Sequence, residues 1–137
     1  MINSDFALGL HSILLLAADK DACLTSSTLS SMLKVHPVRI RKVLSKMKNA
    51  GYIESKEGAG GGFFISCNIE KVTLKDIYTL THDDLMKAKC HSCCPSCKIG
   101  VNIEKVLDII LSDADEKFQD YLEDYSLQKV LDKMQQM

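Results

Sequence analysis

The chain has 137 residues, 46% of them hydrophobic and 26% charged, which suits one globular domain and excludes a disordered acidic tail or a collagen-like repeat. Its net charge of −1 is unevenly spread: Ala22 to Ile53 has no Asp or Glu but holds Lys34, Arg39, Arg41, Lys42, Lys46 and Lys48, so the −1 divides into +6 there and −7 elsewhere. A compact basic segment on an otherwise acidic chain points to a polyanionic partner on one face, and no apolar run reaches the roughly 18 residues of a membrane span.

The start, Met1 to Asp5, lacks the basic region of a signal peptide, so a cytoplasmic chain with no membrane partner is expected. A first helix should have Ser4 as N-cap and run to about Ala18, with Phe6, Leu10, Ile13, Leu14 and Ala17 at helical spacing. Thr25 to Thr28 offer capping oxygens for a short second helix, about Ser26 to Lys34. Val35 and His36 link it to a third helix opened by Pro37, whose fixed φ suits a first turn. Two helices across so short a turn form a helix-turn-helix candidate.

The third helix, Pro37 to Ala50, separates cleanly when its residues are set about 100° apart. Ile40, Val43, Leu44 and Met47 share one face; Val38, Lys42, Ser45 and Asn49 lie opposite, flanked by Arg39, Lys46, Arg41 and Lys48. A solvated surface helix normally mixes signs to gain i,i+4 pairs, whereas this one carries no acid, which favours DNA. Val38, Arg39 and Lys42, early in the helix, are expected at base edges, and Lys46 or Lys48 at phosphates.

Gly51 is a natural helix stop. Beyond it, Tyr52 to Lys56 and Phe63 to Cys67 read as two strands around the glycine-rich Glu57 to Gly62, a hairpin that would form the wing of a winged helix. The glycines do not spell GxGxxG, do not open a helix and lack the Lys-Ser/Thr of a P-loop, so phosphate catalysis is not indicated. Positive φ at Gly60, Gly61 and Gly62 would bring backbone N–H groups near a DNA backbone or into a minor groove, with Lys56 beside them.

A brief amphipathic piece, Leu74 to Leu80, precedes the cysteines. Ile99, Ile103, Val106, Leu107, Ile110 and Leu111 mark a strong helix to about Ala114, and a last helical stretch carries Phe118, Leu122, Leu127, Val130, Leu131 and Met134. Winged domains read half-sites as dimers, which favours an interface over burial within one monomer for the long apolar helix.

Cys90, Cys93, Cys94 and Cys97 fall within eight residues as two adjacent CxxC units, while Cys23 and Cys67 stand apart as small core residues. Zinc or an iron–sulfur cluster would use CxxC as a half-site with His91 as a further ligand, but neighbouring Cys93 and Cys94 tend to point apart. A thiol switch needs only a thiolate and a resolving partner. Lys87, Lys89 and Lys98 lie near, and Cys97 precedes a helix whose dipole favours a thiolate. Oxidation or modification of Cys90, Cys93, Cys94 and Cys97 is the favoured reading, with no cofactor. Iron–sulfur or zinc at the same four residues, a zinc-stapled protein-interaction module and an inert loop are the alternatives. A thioredoxin-like CxxC would need a βαβ setting, and the four histidines show no Ser or Asp pairing, so no enzyme is expected.

Thr25-Ser26-Ser27-Thr28-Leu29, His36-Pro37-Val38-Arg39-Ile40-Arg41-Lys42, Asn49-Ala50-Gly51-Tyr52-Ile53, Gly58-Ala59-Gly60-Gly61-Gly62-Phe63 and Val72-Thr73-Leu74-Lys75-Asp76-Ile77 resemble, in order and spacing, the Rrf2 family of winged-helix transcription regulators, the IscR, NsrR and CymR type. Cys97 to Ile103, Leu122 to Leu127 and His11 resemble its YwnA-like branch. The resemblance implies a mainly α fold with a small β-hairpin, a winged helix-turn-helix followed by a long C-terminal dimerisation helix. It further implies a homodimeric repressor on a palindromic double-stranded operator. Cluster-binding relatives space three cysteines by five intervening residues; here the positions six after Cys90 and Cys93 are Ser96 and Ile99. Relatives also often place a basic residue before the wing glycine, where this chain has Glu57. The expected organisation is 1–80 as DNA-binding domain, 81–98 as cysteine-rich sensor loop, and 99–137 as dimerisation and C-terminal helices. The expected DNA-contacting set is Thr25, Ser26, Val38, Arg39, Lys42, Ser45, Lys46, Lys48, Lys56, Gly60, Gly61 and Gly62.

Overall fold

A computed structural model describes residues 4–82 and 96–137. Along the chain lie α1 (Ser4–Ala18), α2 (Ser26–Leu33), α3 (Pro37–Asn49), β1 (Ile53–Lys56), β2 (Gly62–Ile65), α4 (Leu74–Thr81), α5 (Lys98–Glu123) and α6 (Leu127–Gln135). The architecture is mainly helical with one antiparallel hairpin, a winged helix-turn-helix carrying a long C-terminal helix.

α1 forms the centre of the core, burying Phe6, Leu8, Ile13, Leu14, Leu16 and Ala17 on more than one face. Gly9 lets its neighbours come close: a Cβ there would lie 3.2 Å from Thr81 Cγ2 and 3.3 Å from Val43 Cγ1, so α3 and α4 both press against this point. The two buried hydroxyls, Ser12 and Thr81, donate to the carbonyls of Leu8 and Ile77, each at 2.8 Å, so neither costs the core an unsatisfied donor. Ser4 is the first helical residue and not the N-cap that the sequence suggests; its hydroxyl is used by Arg39.

The turn between α2 and α3 is built by capping at both ends. Thr25 Oγ1 accepts from the Thr28 N–H at 3.0 Å, and Lys34 closes α2 in the left-handed region, φ 55°. His36, read from sequence as a simple link, is the N-cap of α3: its Nδ1 accepts from the Val38 N–H at 3.2 Å. Gly51 at φ 84° ends that helix as expected. The buried face of α3 is Ile40, Val43, Leu44 and Met47, the four that the periodicity selects.

β1 and β2 pair in the register Ile53↔Ile65 to Lys56↔Gly62. Leu24, just before α2, pairs with Phe63 on the other edge of β2, exchanging hydrogen bonds of 2.9 and 2.7 Å. The wing is thereby stitched to the start of the helix-turn-helix.

The C-terminal third departs most from expectation. α5 does not end near Ala114 but continues to Glu123, so Phe118 and Leu122 belong to it and not to the last helix. The break falls at Asp124 to Ser126, where Ser126 caps α6. There the chain returns to the start of α4: Leu74 N–H donates to the Tyr125 carbonyl (2.8 Å), Leu127 N–H to that of Val72 (2.9 Å) and Gln128 N–H to that of Ile69 (3.0 Å). Leu122 and Leu127 are buried in the same core as α1, α3 and α4. Cys23 and Cys67 are half-buried and not fully buried as expected.

Candidate nucleic-acid interface

With its apolar face docked on α1, α3 turns the rest of its circumference outward. Val38 is 63% exposed, and Arg41, Lys42, Ser45 and Lys48 are exposed, with Lys46 half-buried beside them. Arg41, absent from the expected contact set, stays on the helix surface with Nε donating to the Pro37 carbonyl at 3.3 Å. Lys48 Nζ donates to Ser55 Oγ at 2.6 Å, which ties the end of α3 to the first wing strand. Arg39 differs. Its Nε meets Asp5 Oδ1 at 3.1 Å and a terminal nitrogen meets Ser4 Oγ, so the guanidinium expected at base edges is engaged by the first turn of α1. Among the described residues it is the only one of the segment's six cations paired with a carboxylate.

Thr25 is exposed at the N-terminus of α2 and Ser26 half-buried behind it. At the wing, Lys56, Gly58 and Gly60 are exposed, and φ of 91° at Gly58 and 75° at Gly60 explains those two glycines by backbone conformation, with open space where a Cβ would stand. Gly61 and Gly62 have another reason to be glycine. A Cβ on Gly61 would collide with the Lys56 carbonyl oxygen, and one on Gly62 would lie 2.5 Å from the Leu24 carbonyl carbon. Gly61, whose φ is not positive, is fixed by the hairpin's own backbone, and Gly62, at φ 141°, also by the segment before α2.

Of the four clustered cysteines, Cys97 lies within the described residues; Cys90, Cys93 and Cys94, with His91, lie outside them. Cys97 is exposed and is the N-cap of α5, its Sγ accepting from the Gly100 N–H at 3.3 Å. By contrast, burial pushes the Cys67 thiol up from its ordinary value, which disfavours its thiolate. Among the described residues no three His, Cys, Asp or Glu side chains converge where an ion could sit.

α5 presents Ile99, Ile103, Val106 and Ile110 to solvent, spaced four, three and four apart, between 40% and 77% exposed. That spacing matches the alternating a and d positions of a coiled-coil seam. A groove of about 500 Å³ between α1 and α6, lined by Phe6, Leu10, His11, Leu14, Leu131 and Met134 among others, is a second apolar surface. Farther along, α5 is tied to the domain: Tyr78, buried on α4, donates to Asp115 Oδ1 at 2.6 Å and packs edge-on against Phe118, ring centroids 5.2 Å apart. Burial, then the hydrogen bond to Asp115 and its charge, push the Tyr78 phenol up to about 12. His82 stacks on the same ring at 4.8 Å, and its Nδ1 is buried with no hydrogen-bond partner among the described residues.

Comparison with known proteins agrees with this arrangement. The model of the family described as "Rrf2: Iron-dependent Transcriptional regulator" matches residues 2–133. Two proteins of Bacillus subtilis (strain 168) designated HTH-type transcriptional regulators are similar: YwgB, 27% identical over 82% of this chain and 72% of its own, and YwnA, 24% identical over 96% and 97%. A solved structure from Lactobacillus plantarum, designated a transcriptional regulator, superposes with a TM-score of 0.82 at 27% identity, covering 96% of this chain and 89% of that one. The iron in the family's description finds no donor set among the described residues, and Cys90, His91, Cys93 and Cys94 lie outside them.

Proposed function

The chain belongs to the Rrf2 family of transcriptional regulators, and on that premise we propose that it is a homodimeric repressor, working in the cytoplasm on a palindromic operator, whose affinity for double-stranded DNA follows the thiol state of Cys90, Cys93, Cys94 and Cys97. The observation that carries the DNA reading is α3. Its apolar face is fully buried while its outer face is cationic, and no acid occurs from Ala22 to Ile53. In a helix-turn-helix, the early residues of the second helix face base edges, a role for Val38 and Lys42, while Lys46, Lys48 and Lys56 supply charge to phosphates. Thr25, Ser26 and Ser45 add hydroxyls beside that face, and Gly60 an exposed backbone at the wing tip.

The exposed seam of α5 supports the dimer, since four large apolar side chains in water are a surface that a monomer rarely leaves open. The position of Cys97 supports the switch. Hydrogen peroxide would take the thiolate to a sulfenic acid, with hydroxide as the leaving group, and condensation with a second thiol among Cys90, Cys93 and Cys94 would form a disulfide and release water. Either product alters the charge and substituents of the sulfur that caps Gly100, and so disturbs the first turn of the helix bearing the seam.

The test is fluorescence anisotropy on duplexes selected from a random pool. Binding should weaken with salt, each phosphate contact contributing roughly −0.9 to the log–log slope, and Lys42→Ala with Lys46→Ala should flatten the slope by about 1.8. Peroxide should change the affinity of wild type but not of Cys97→Ser, whose hydroxyl preserves an N-cap. A salt-independent wild type overturns the DNA reading; equal peroxide responses remove Cys97 as the sensor.

A further inference from the structure

The contact between Arg39 and α1 has a bearing on DNA recognition that the sequence pattern hides. Arg39 lies in the first turn of α3, where the mode proposed above would place a base-reading side chain. Two donors of its guanidinium instead engage adjacent residues of α1, Asp5 Oδ1 at 3.1 Å and Ser4 Oγ, 34 and 35 positions back in the chain. We propose that the Asp5–Arg39 pair is a clasp: Arg39 is a positioning residue that fixes the start of the recognition helix to α1, and Asp5 withholds its charge from DNA. The proposal rests on the DNA-binding reading of α3.

The geometry supports both halves. Gly9 of α1 meets Val43 of α3, and Asp5 meets Arg39, so each contact advances four residues on both helices. The helices therefore run the same way along this seam, and the clasp closes its leading end. The side chains are 40% and 26% exposed, and the carboxylate in contact with Nε offsets the guanidinium charge that a phosphate would otherwise meet. Asp5 also stands in the first turn of α1, where the helix dipole favours an anion, and so holds its place independently of Arg39. Neither Lys48, bonded to a neutral hydroxyl, nor Arg41, bonded to a backbone carbonyl, has its charge compensated in this way. Five of the six cations have no carboxylate partner among the described residues.

The salt dependence of DNA binding separates a positioning role from a contact. Wild type, Arg39→Ala, Asp5→Asn and the double variant are each titrated with selected and random duplexes from 0.05 to about 0.3 M salt, the slope per contact being roughly −0.9. Arg39→Ala should keep the wild-type slope even where its affinity falls. Asp5→Asn frees one cation, so its slope should steepen by about 0.9 and its binding to both duplexes should tighten about eightfold at 0.1 M. In the Arg39→Ala background the same change should do nothing. Arg39→Gln, which keeps a donor for Asp5, replaces the alanine variant if that one does not fold. A slope flattened by about 0.9 in the Arg39 variant, or an unchanged slope in Asp5→Asn, overturns the clasp while wild-type binding leaves the DNA reading intact. Absence of any salt-dependent binding by wild type overturns both.

Discussion

Gly62→Ala tests whether the wing is held by its own turn or by the strand-like pairing with Leu24. Gly62 sits at φ 141°, a region that costs an alanine about 1–3 kcal/mol, and its Cβ would enter the Leu24 carbonyl at 2.5 Å. Relief of that clash must move β2 away from Leu24 and loosen the hydrogen bonds of 2.9 and 2.7 Å between Leu24 and Phe63, each worth about 0.5–1.5 kcal/mol net. Together these give a destabilisation of roughly 2–6 kcal/mol, a large part of the 5–15 typical of a domain. Gly60→Ala is the control: φ is 75° but nothing lies within 4 Å, so only the backbone cost, about 1–2 kcal/mol, applies. The chain has no tryptophan, so urea unfolding is followed by far-UV circular dichroism. A midpoint shift for Gly62→Ala no larger than that for Gly60→Ala refutes the close-approach argument.

Ile103→Glu with Ile110→Glu should convert the proposed dimer to monomer in sedimentation velocity, because the two residues are 40% and 55% exposed and each stands to gain about half of the roughly 1.5–3 kcal/mol of full burial at such an interface; a persisting dimer would place the interface elsewhere. Tyr78 gives a pH prediction. Its phenol titrates near 12 when folded and 10 when unfolded, so its contribution is intact below pH 10 and is lost as pH rises toward 12, by at most about 2–3 kcal/mol. Tyr78→Phe should be less stable at neutral pH and should lack that part of the alkaline loss. Parallel alkaline profiles for the two proteins would sink the assignment.

The two faces of α3 were legible because one residue periodicity controls them: the four buried positions follow from spacing alone, and what is left outward is cationic. The length of α5 was not, because its face changes partner. Ile99 to Ile110 point away from the domain, whereas Phe118 and Leu122 point into it, and the polar stretch Asp113 to Lys117 between them looks like an interruption. The structure runs the helix straight through, with Asp115 taken up by Tyr78 and by Gln119 Nε2 at 2.8 Å. The partner of Arg39 was equally hidden, since a contact across 34 residues leaves no periodic trace. For the wing glycines the residue type was informative but its reason was not: Gly58 and Gly60 answer to φ, Gly61 to neighbouring backbone, and Gly62 to both.

Among the described residues, the bonds that return the chain from Tyr125 to Gln128 onto the start of α4, with the Tyr78–Asp115 contact, hold the later half of α5. Lys98 to Ala114 extends beyond that grip for about 25 Å at 1.5 Å per residue. Such a helix is a lever arm with its fulcrum near Asp115 and Cys97 at the free tip. A tilt of only about 10° at the fulcrum carries the tip through ~4 Å, and the converse holds. A small covalent change at the tip, if braced against a second copy, acts on the DNA-reading body with the mechanical advantage of the whole arm.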